Sequence, residues 1–176
     1  MGRCLIVVDM LFDFIDPKGA LFCGPTAAAI VPRVRALIDE FRSAGDAIVY
    51  LADSHDPDDA EFKRFGRHAV AGSPGARVIK ALEPRVGDVV VAKRHFSGFY
   101  DTRLDEVIRG IAPAEAHLAG VCTSICVMET AGDLVDRGYP VVVHADAVAD
   151  FDQEQHSCAL KRMEKVLGVR LEPKGA

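Results

Sequence analysis

The chain predicts an α/β fold, a three-layer α-β-α arrangement around a mostly parallel, doubly wound, six-stranded sheet. Three observations carry that prediction. Apolar runs of strand length alternate with helical patterns from end to end, which calls for helices on both faces of a parallel sheet. The runs are continuous rather than alternating, as strands buried on both faces are. Several also end near an ionisable residue (Asp9, Asp53, Lys93), where an open parallel sheet binds its ligands.

The elements follow in order. Cys4-Leu5-Ile6-Val7-Val8 makes the first strand and ends at Asp9. Pro32 suits a first helical turn; Val34, Leu37, Ile38 and Phe41 then recur at helical spacing, and Gly45 stops the helix. Ala47-Ile48-Val49-Tyr50-Leu51 is the second strand, leading to Asp53. The stretch from Ser54 to Ser73 is too polar for core and too long for a connector, the mark of a functional loop. A helix is expected over roughly 75–82, before a third strand at Val89-Val90-Val91 that ends at Lys93. Helices over roughly 102–109, 124–137 and 153–167 then separate strands at Ala116–Gly120, Val141–Val143 and Val169–Leu171. No repeat, low-complexity tract or linker interrupts the pattern, so residues 1–176 read as a single domain.

Composition narrows the function. Lys and Arg total 21 against 26 Asp and Glu, a net charge of −5, which argues against a protein living on phosphate backbones. No apolar run approaches the roughly 20 residues of a membrane helix, and no signal-peptide pattern precedes the first strand; a cytoplasmic protein is expected. Five cysteines (Cys4, Cys23, Cys122, Cys126, Cys158) are odd in number and do not pair by spacing, which speaks against a secreted disulfide framework.

Cys126 is the sharpest chemical candidate. Gly120-Val121-Cys122-Thr123-Ser124-Ile125-Cys126 runs from the fourth strand into a helix, where the dipole should lower a thiol pKa and free N–H groups could hold an oxyanion. A buried apolar cysteine, or a metal or redox pair with Cys122, is the competing reading. Asp9 could act as base and Lys93 could stabilise a thiolate, unless the two form only a buried ion pair. In the long loop, Asp53 and His55 alternate onto one side of an extended backbone and join Glu61 and His68 as a set of two histidines and two carboxylates. Such a set suits zinc, manganese or iron(II); the bland alternative is a solvated acidic loop.

In that order, Asp9, Lys93 and the Gly120–Cys126 segment resemble the Asp-Lys-Cys triad of the isochorismatase-like cysteine hydrolases. The loop Asp53-Ser54-His55-Asp56-Pro57-Asp58-Asp59-Ala60-Glu61-Phe62, with His68 after it, is similar to the metal segment of the nicotinamidase branch. The resemblance implies the isochorismatase-like hydrolase fold, with Cys126 as nucleophile on an amide carbonyl, Asp9 as proton carrier and Lys93 as electrostatic partner. It implies a cis Val121–Cys122 peptide, with the Cys122 and Cys126 N–H groups as oxyanion hole. It further implies Phe14 and Phe96 around a substrate ring, and a divalent metal on Asp53, His55, Glu61 and His68, zinc first, with iron or manganese as alternatives. The activity so implied is conversion of nicotinamide to nicotinate and ammonia, in NAD salvage, by a homo-oligomer. Alternatives are a relative acting on another small amide or carbamoyl compound, and a non-catalytic metal-binding relative. The chain departs from the frequent family pattern at Met10-Leu11-Phe12 and at Ser124, which stands where many relatives carry Asp.

Overall fold

A computed structural model describes residues 2–173; residue 1 and residues 174–176 of the expected domain lie outside the described residues. Six strands, β1 (Arg3–Val8), β2 (Ala47–Asp53), β3 (Val89–Lys93), β4 (Glu115–Val121), β5 (Val141–Ala149) and β6 (Arg170–Glu172), pair in parallel throughout in the order β3-β2-β1-β4-β5-β6. Side-chain alternation splits β1 between two cores. Leu5 and Val7 face α1 (Phe12–Ile15), α2 (Pro25–Ala29) and α3 (Val31–Ser43), joining Val34, Leu37 and Phe41. Cys4, Ile6 and Val8 face the other way, toward Leu104 and Ile108 of α5 (Leu104–Ile111), Ala131 and Leu134 of α6 (Met128–Asp136), and Met163 of α7 (Gln153–Lys165). These two cores make the three layers and cover the central strands β1, β2 and β4 on both faces, as their unbroken apolar runs require, while Val90 on the edge strand β3 is exposed.

The strand order reverses between β1 and β4, so the crevice at the carboxyl end of the sheet opens between Asp9 and the Cys122–Cys126 turn. β1 and β4 approach closely there. Gly120 has φ +118°, and a Cβ on it would lie 2.0 Å from the Val8 carbonyl oxygen, so only glycine lets β4 pass.

Several elements differ from expectation. The helix expected over roughly 75–82 is a pair of 3₁₀ turns, Pro74–Ala76 and Lys80–Leu82. Between them the backbone bonds sideways: Phe12 N–H donates to Arg77 O at 2.9 Å and Ile79 N–H to Met10 O at 3.0 Å, around an antiparallel Leu11–Val78 bridge. Branched Val78 and Ile79 favour such extended backbone over a helical turn. β5 is longer than its Val141–Val143 run; the polar His144-Ala145-Asp146 interior hides the continuation, and the register with β4 shifts between Leu118 and Gly120. The long loop also contains a short helix, α4 (Phe62–Phe65).

Candidate active site

Asp9 follows β1 in a left-handed conformation, φ 50°, which a side chain occupies at some cost and which recurs at functional sites. Its N–H is held by Leu51 O at 2.9 Å, and its Oδ1 accepts the Asp53 N–H at 2.9 Å. The carboxylate is thereby anchored to the end of β2. Its Oδ2 lies 2.7 Å from Lys93 Nζ and accepts no directed hydrogen bond. Lys93, at the end of β3 and fully buried in its side chain, also donates to Asp53 Oδ1 and reaches Cys126 Sγ at 3.3 Å. The donor atoms of Asp9, Asp53 and Cys126 lie within 4.8 Å of one another, a spacing that could hold a cation, and the Lys93 ammonium stands among them.

The thiol sits in a π-helical turn, Thr123–Val127, that leads into α6. Cys122 O accepts from both Ile125 and Val127 N–H, at 3.1 and 3.2 Å, and Asp150 Oδ2 accepts the Ser124 N–H at 2.6 Å. Thr123 Oγ1 and His156 Nδ1 share a hydrogen bond of 2.8 Å. The Val121–Cys122 peptide is cis.

Burial sets the protons. It holds the Asp9 carboxyl up to about 6, reinforced by Asp53 and opposed by Lys93. Burial also works on Lys93, but Asp53 and Asp9 outweigh it and keep the ammonium well above its ordinary value. The Cys126 thiol does not follow the expectation of a lowered pKa. Burial pushes it well up; Lys93 pulls it down, but Asp9 and Asp53 oppose Lys93. The Asp9 carboxylate borders the thiol and could take its proton.

A second cluster adjoins the triad. Asp53, His55 and His68 place ligand atoms within 4.8 Å of one another, all three buried. Asp59 Oδ2 lies 3.1 Å from His55 Nδ1, and Gly66 O lies 2.8 Å from His68 Nδ1, so each ring turns its Nε2 inward. His55 Nε2 is buried, 3.5 Å from Asp53 Oδ2, and has no hydrogen-bond partner among the described residues. A buried imidazole nitrogen facing a carboxylate and a second imidazole fits a divalent ion. Glu61 sits outside the tight group, with Oε1 3.9 Å from His68 Nε2, and burial raises its carboxyl. Burial tends to lower His55, but Asp53 and Asp59 dominate and hold it at about 9.

Both clusters border one chamber, lined by Asp9, Asp53, Glu61, His68, Cys122 and Cys126 and walled by apolar side chains. Phe14 and Phe96, singled out in the sequence, are among the walls; Leu21, Phe65, Ile125 and Phe151 are walls that local sequence gave no reason to choose. The one usable signal was the density of phenylalanine in the loop around His68. Asp13 also escaped notice: its carboxylate accepts the Ala69 N–H at 2.8 Å and the Ala20 N–H at 3.1 Å, tying two loops to α1.

The isochorismatase domain matches residues 3–171. An uncharacterised isochorismatase family protein, PncA, from Bacillus subtilis is 36% identical over 97% of this chain and 99% of its own. Among solved structures, the nicotinamidase/pyrazinamidase PncA from Bacillus subtilis superposes with TM-score 0.91 at 35% identity, covering 97% of this chain and 99% of that one. N-carbamoylsarcosine amidase from Thermoplasma acidophilum gives 0.88 at 37% identity, over 99% and 100% of the two chains. A pyrazinamidase of Pyrococcus horikoshii in complex with zinc gives 0.89 at 32%, over 97% and 98%. A domain match of this extent, on an all-parallel sheet with a buried Asp-Lys-Cys cluster at its switch point, means that the chain belongs to the isochorismatase family of hydrolases.

Proposed function

We propose that this chain is a metal-dependent amidohydrolase converting nicotinamide to nicotinate and ammonia through a Cys126 thioester. The observation that carries the reading is the chamber itself. Phe14, Phe65, Phe96 and Phe151 wall it, the Asp53-His55-His68 cluster adjoins it, and among the described residues no Lys or Arg lines it, the nearby Lys93 ammonium being engaged by Asp9 and Asp53. Arg64 stacks on Phe65 and Phe96, 5.6 and 5.5 Å from their ring centroids, instead of lining the chamber. Such a site suits a flat, uncharged ring bearing a ligating nitrogen. Among the described residues its lining offers no Lys or Arg to a carboxylate such as that of N-carbamoylsarcosine.

Asp9 takes the proton of Cys126, and the thiolate forms beside Lys93 and adds to the carboxamide carbon. The N–H groups of Cys122 and Cys126 serve as oxyanion donors. Asp9 returns its proton to the departing nitrogen, ammonia leaves, and the thioester remains. Asp9 then deprotonates a water that attacks the thioester, and the tetrahedral adduct collapses to release the acid and restore the thiol. Asp53, His55 and His68, with Glu61 at the rim, would hold zinc, iron or manganese; when bound, the ion supplies a Lewis acid for a ring nitrogen.

Ammonia release from nicotinamide, pyrazinamide and N-carbamoylsarcosine, with and without a chelator, tests the reading. Turnover of the two ring amides, lost to chelator and recovered on adding metal, is expected. Turnover of the carbamoyl compound with inert nicotinamide would transfer the chain to the other-amide reading. Cys126→Ala should abolish turnover while keeping fold and metal content, and amidase activity in that variant would remove the triad. Absence of turnover on all three compounds with metal bound would favour a non-catalytic relative.

A further inference from the structure

The mechanism uses the Cys122 backbone but leaves its thiol idle, and Cys23 has no role at all. The two sulfurs nevertheless touch: Cys23 Sγ and Cys122 Sγ are 3.5 Å apart, in the same buried hydrogen bond, across 99 residues of sequence. Redox pairing read from the sequence would join Cys122 to Cys126; in the fold its sulfur contacts Cys23 instead. Cys23 itself is pinned, its N–H donating to Phe14 O at 2.9 Å and its thiol to Leu21 O at 3.6 Å, and both Phe14 and Leu21 are chamber walls. Cys122 lines the chamber, whereas Cys23 is 1% exposed and does not.

We propose that Cys23 and Cys122 are a modification site, a dithiol pair that peroxide converts to a reversible disulfide beside the nucleophile. The chamber sets the order of events. A peroxide small enough to enter meets Cys122 first: its sulfur attacks one peroxide oxygen, the O–O bond breaks, and Cys122 becomes a sulfenic acid with release of one water. The Cys23 sulfur then attacks the sulfenic sulfur, the S–O bond breaks, and a second water leaves as the S–S bond forms. Two thiols lose two electrons and two protons, and the peroxide is reduced to two waters. The sulfurs start about 1.5 Å beyond bonding distance. The bond ties the Phe14–Cys23 wall to the turn that carries Cys126. Contact with Cys23 and then burial hold the Cys122 thiol well above its ordinary value, so the pair responds to sustained peroxide and not to traces.

The test uses the full-length Cys126→Ala protein as purified, so that the nucleophile cannot oxidise or exchange. After hydrogen peroxide treatment, remaining thiols are alkylated under denaturing conditions and the peptides are weighed by mass spectrometry. Cys158, exposed and distant in sequence, reports that oxidant was sufficient. The expected product is a Cys23–Cys122 linked peptide, lost on adding dithiothreitol. In Cys23→Ala/Cys126→Ala, and equally in Cys23→Ser/Cys126→Ala, the expected product is a dimedone adduct on Cys122, absent when Cys23 is present. A Cys122 that stays reduced after Cys158 is consumed overturns the proposal. So does a link to any other cysteine, or a Cys122 sulfinic acid alongside free Cys23. A linked peptide without the dimedone adduct overturns the order in which the sulfurs react.

Discussion

Replacing His144 should remove much of this protein's sensitivity to mild acid. His117 on β4 and His144 on β5 stack at 5.2 Å with an interplanar angle of 25°, and His117 Nδ1 meets His144 Nε2 at 3.0 Å. One ring must lend a lone pair to that bond, so the pair cannot take two protons and keep it. Phe41 closes the site edge-on at 4.9 Å. The charges facing the pair are Glu115, Glu172, Arg3, Arg33, Asp46 and Asp146. Burial, and then His117, push His144 down to about 4, and burial lowers His117 as well. A histidine depressed in the folded state is neutral there while the unfolded chain already binds a proton. Its contribution is therefore complete above about pH 6.5, is lost as pH falls toward 4, and changes little below that. At about 1.4 kcal/mol per pH unit the loss comes to about 3 kcal/mol, a large share of a typical domain's stability. His144→Gln keeps a hydrogen-bonding partner for His117 without the titration. Urea unfolding of both proteins at pH 7.5 and 4.5 measures the difference. The wild type should lose about 2–3 kcal/mol more than the variant between those pH values. Equal losses would mean that the pair is already solvated or charged when folded, and the argument from burial would fail.

Other consequences can be checked directly. Gly120→Ala forces a Cβ onto the Val8 carbonyl at positive φ, and should cost at least about 3 kcal/mol in denaturant unfolding. Asp59→Ala frees His55 Nδ1 and should weaken metal binding about 10–100-fold by competition against a chromophoric chelator. Because His55 stands at about 9 without metal, binding near pH 7 should release a proton, and affinity should climb with pH up to about 9. Calorimetry in buffers of different ionisation heat reads that proton; none released would place His55 neutral. Asp150→Asn should lower kcat and raise KM together in an amide-hydrolysis assay, because the carboxylate holds both the Ser124 N–H of the nucleophile turn, at 2.6 Å, and the N–H of the wall residue Phe151, at 2.9 Å.

Legibility followed locality. Strands that are buried on both faces announce themselves as unbroken Val and Ile runs, and their polar stops at Asp9, Asp53 and Lys93 carried the position of the crevice. The two 3₁₀ turns did not, because the Arg77–Ile79 backbone between them pairs with Met10–Phe12, far away in sequence. Chamber walls such as Phe151 and Leu21 look like any apolar residue until the fold turns them inward. The Cys23–Cys122 contact joins segments 99 residues apart, and no spacing rule reaches across that distance.

Asp53 best exposes what a linear reading loses. From its Asp-x-His pattern it belongs to a metal set, and Asp9 and Lys93 belong to a triad. In the fold its Oδ1 takes the Lys93 ammonium, its Oδ2 faces His55, and its N–H bonds to Asp9. One carboxylate thus borders both clusters, and the charge on it is felt on both sides. Its repulsion, after burial, helps hold the Asp9 carboxyl near 6, close to where a proton carrier working around neutrality needs to be. A cation on the Oδ2 side would neutralise part of that field, letting Asp9 ionise more readily and loosening the grip on Lys93. The ligand cluster and the nucleophile are therefore electrostatically one site, and a substitution at Asp53 cannot be assigned to metal or to chemistry alone.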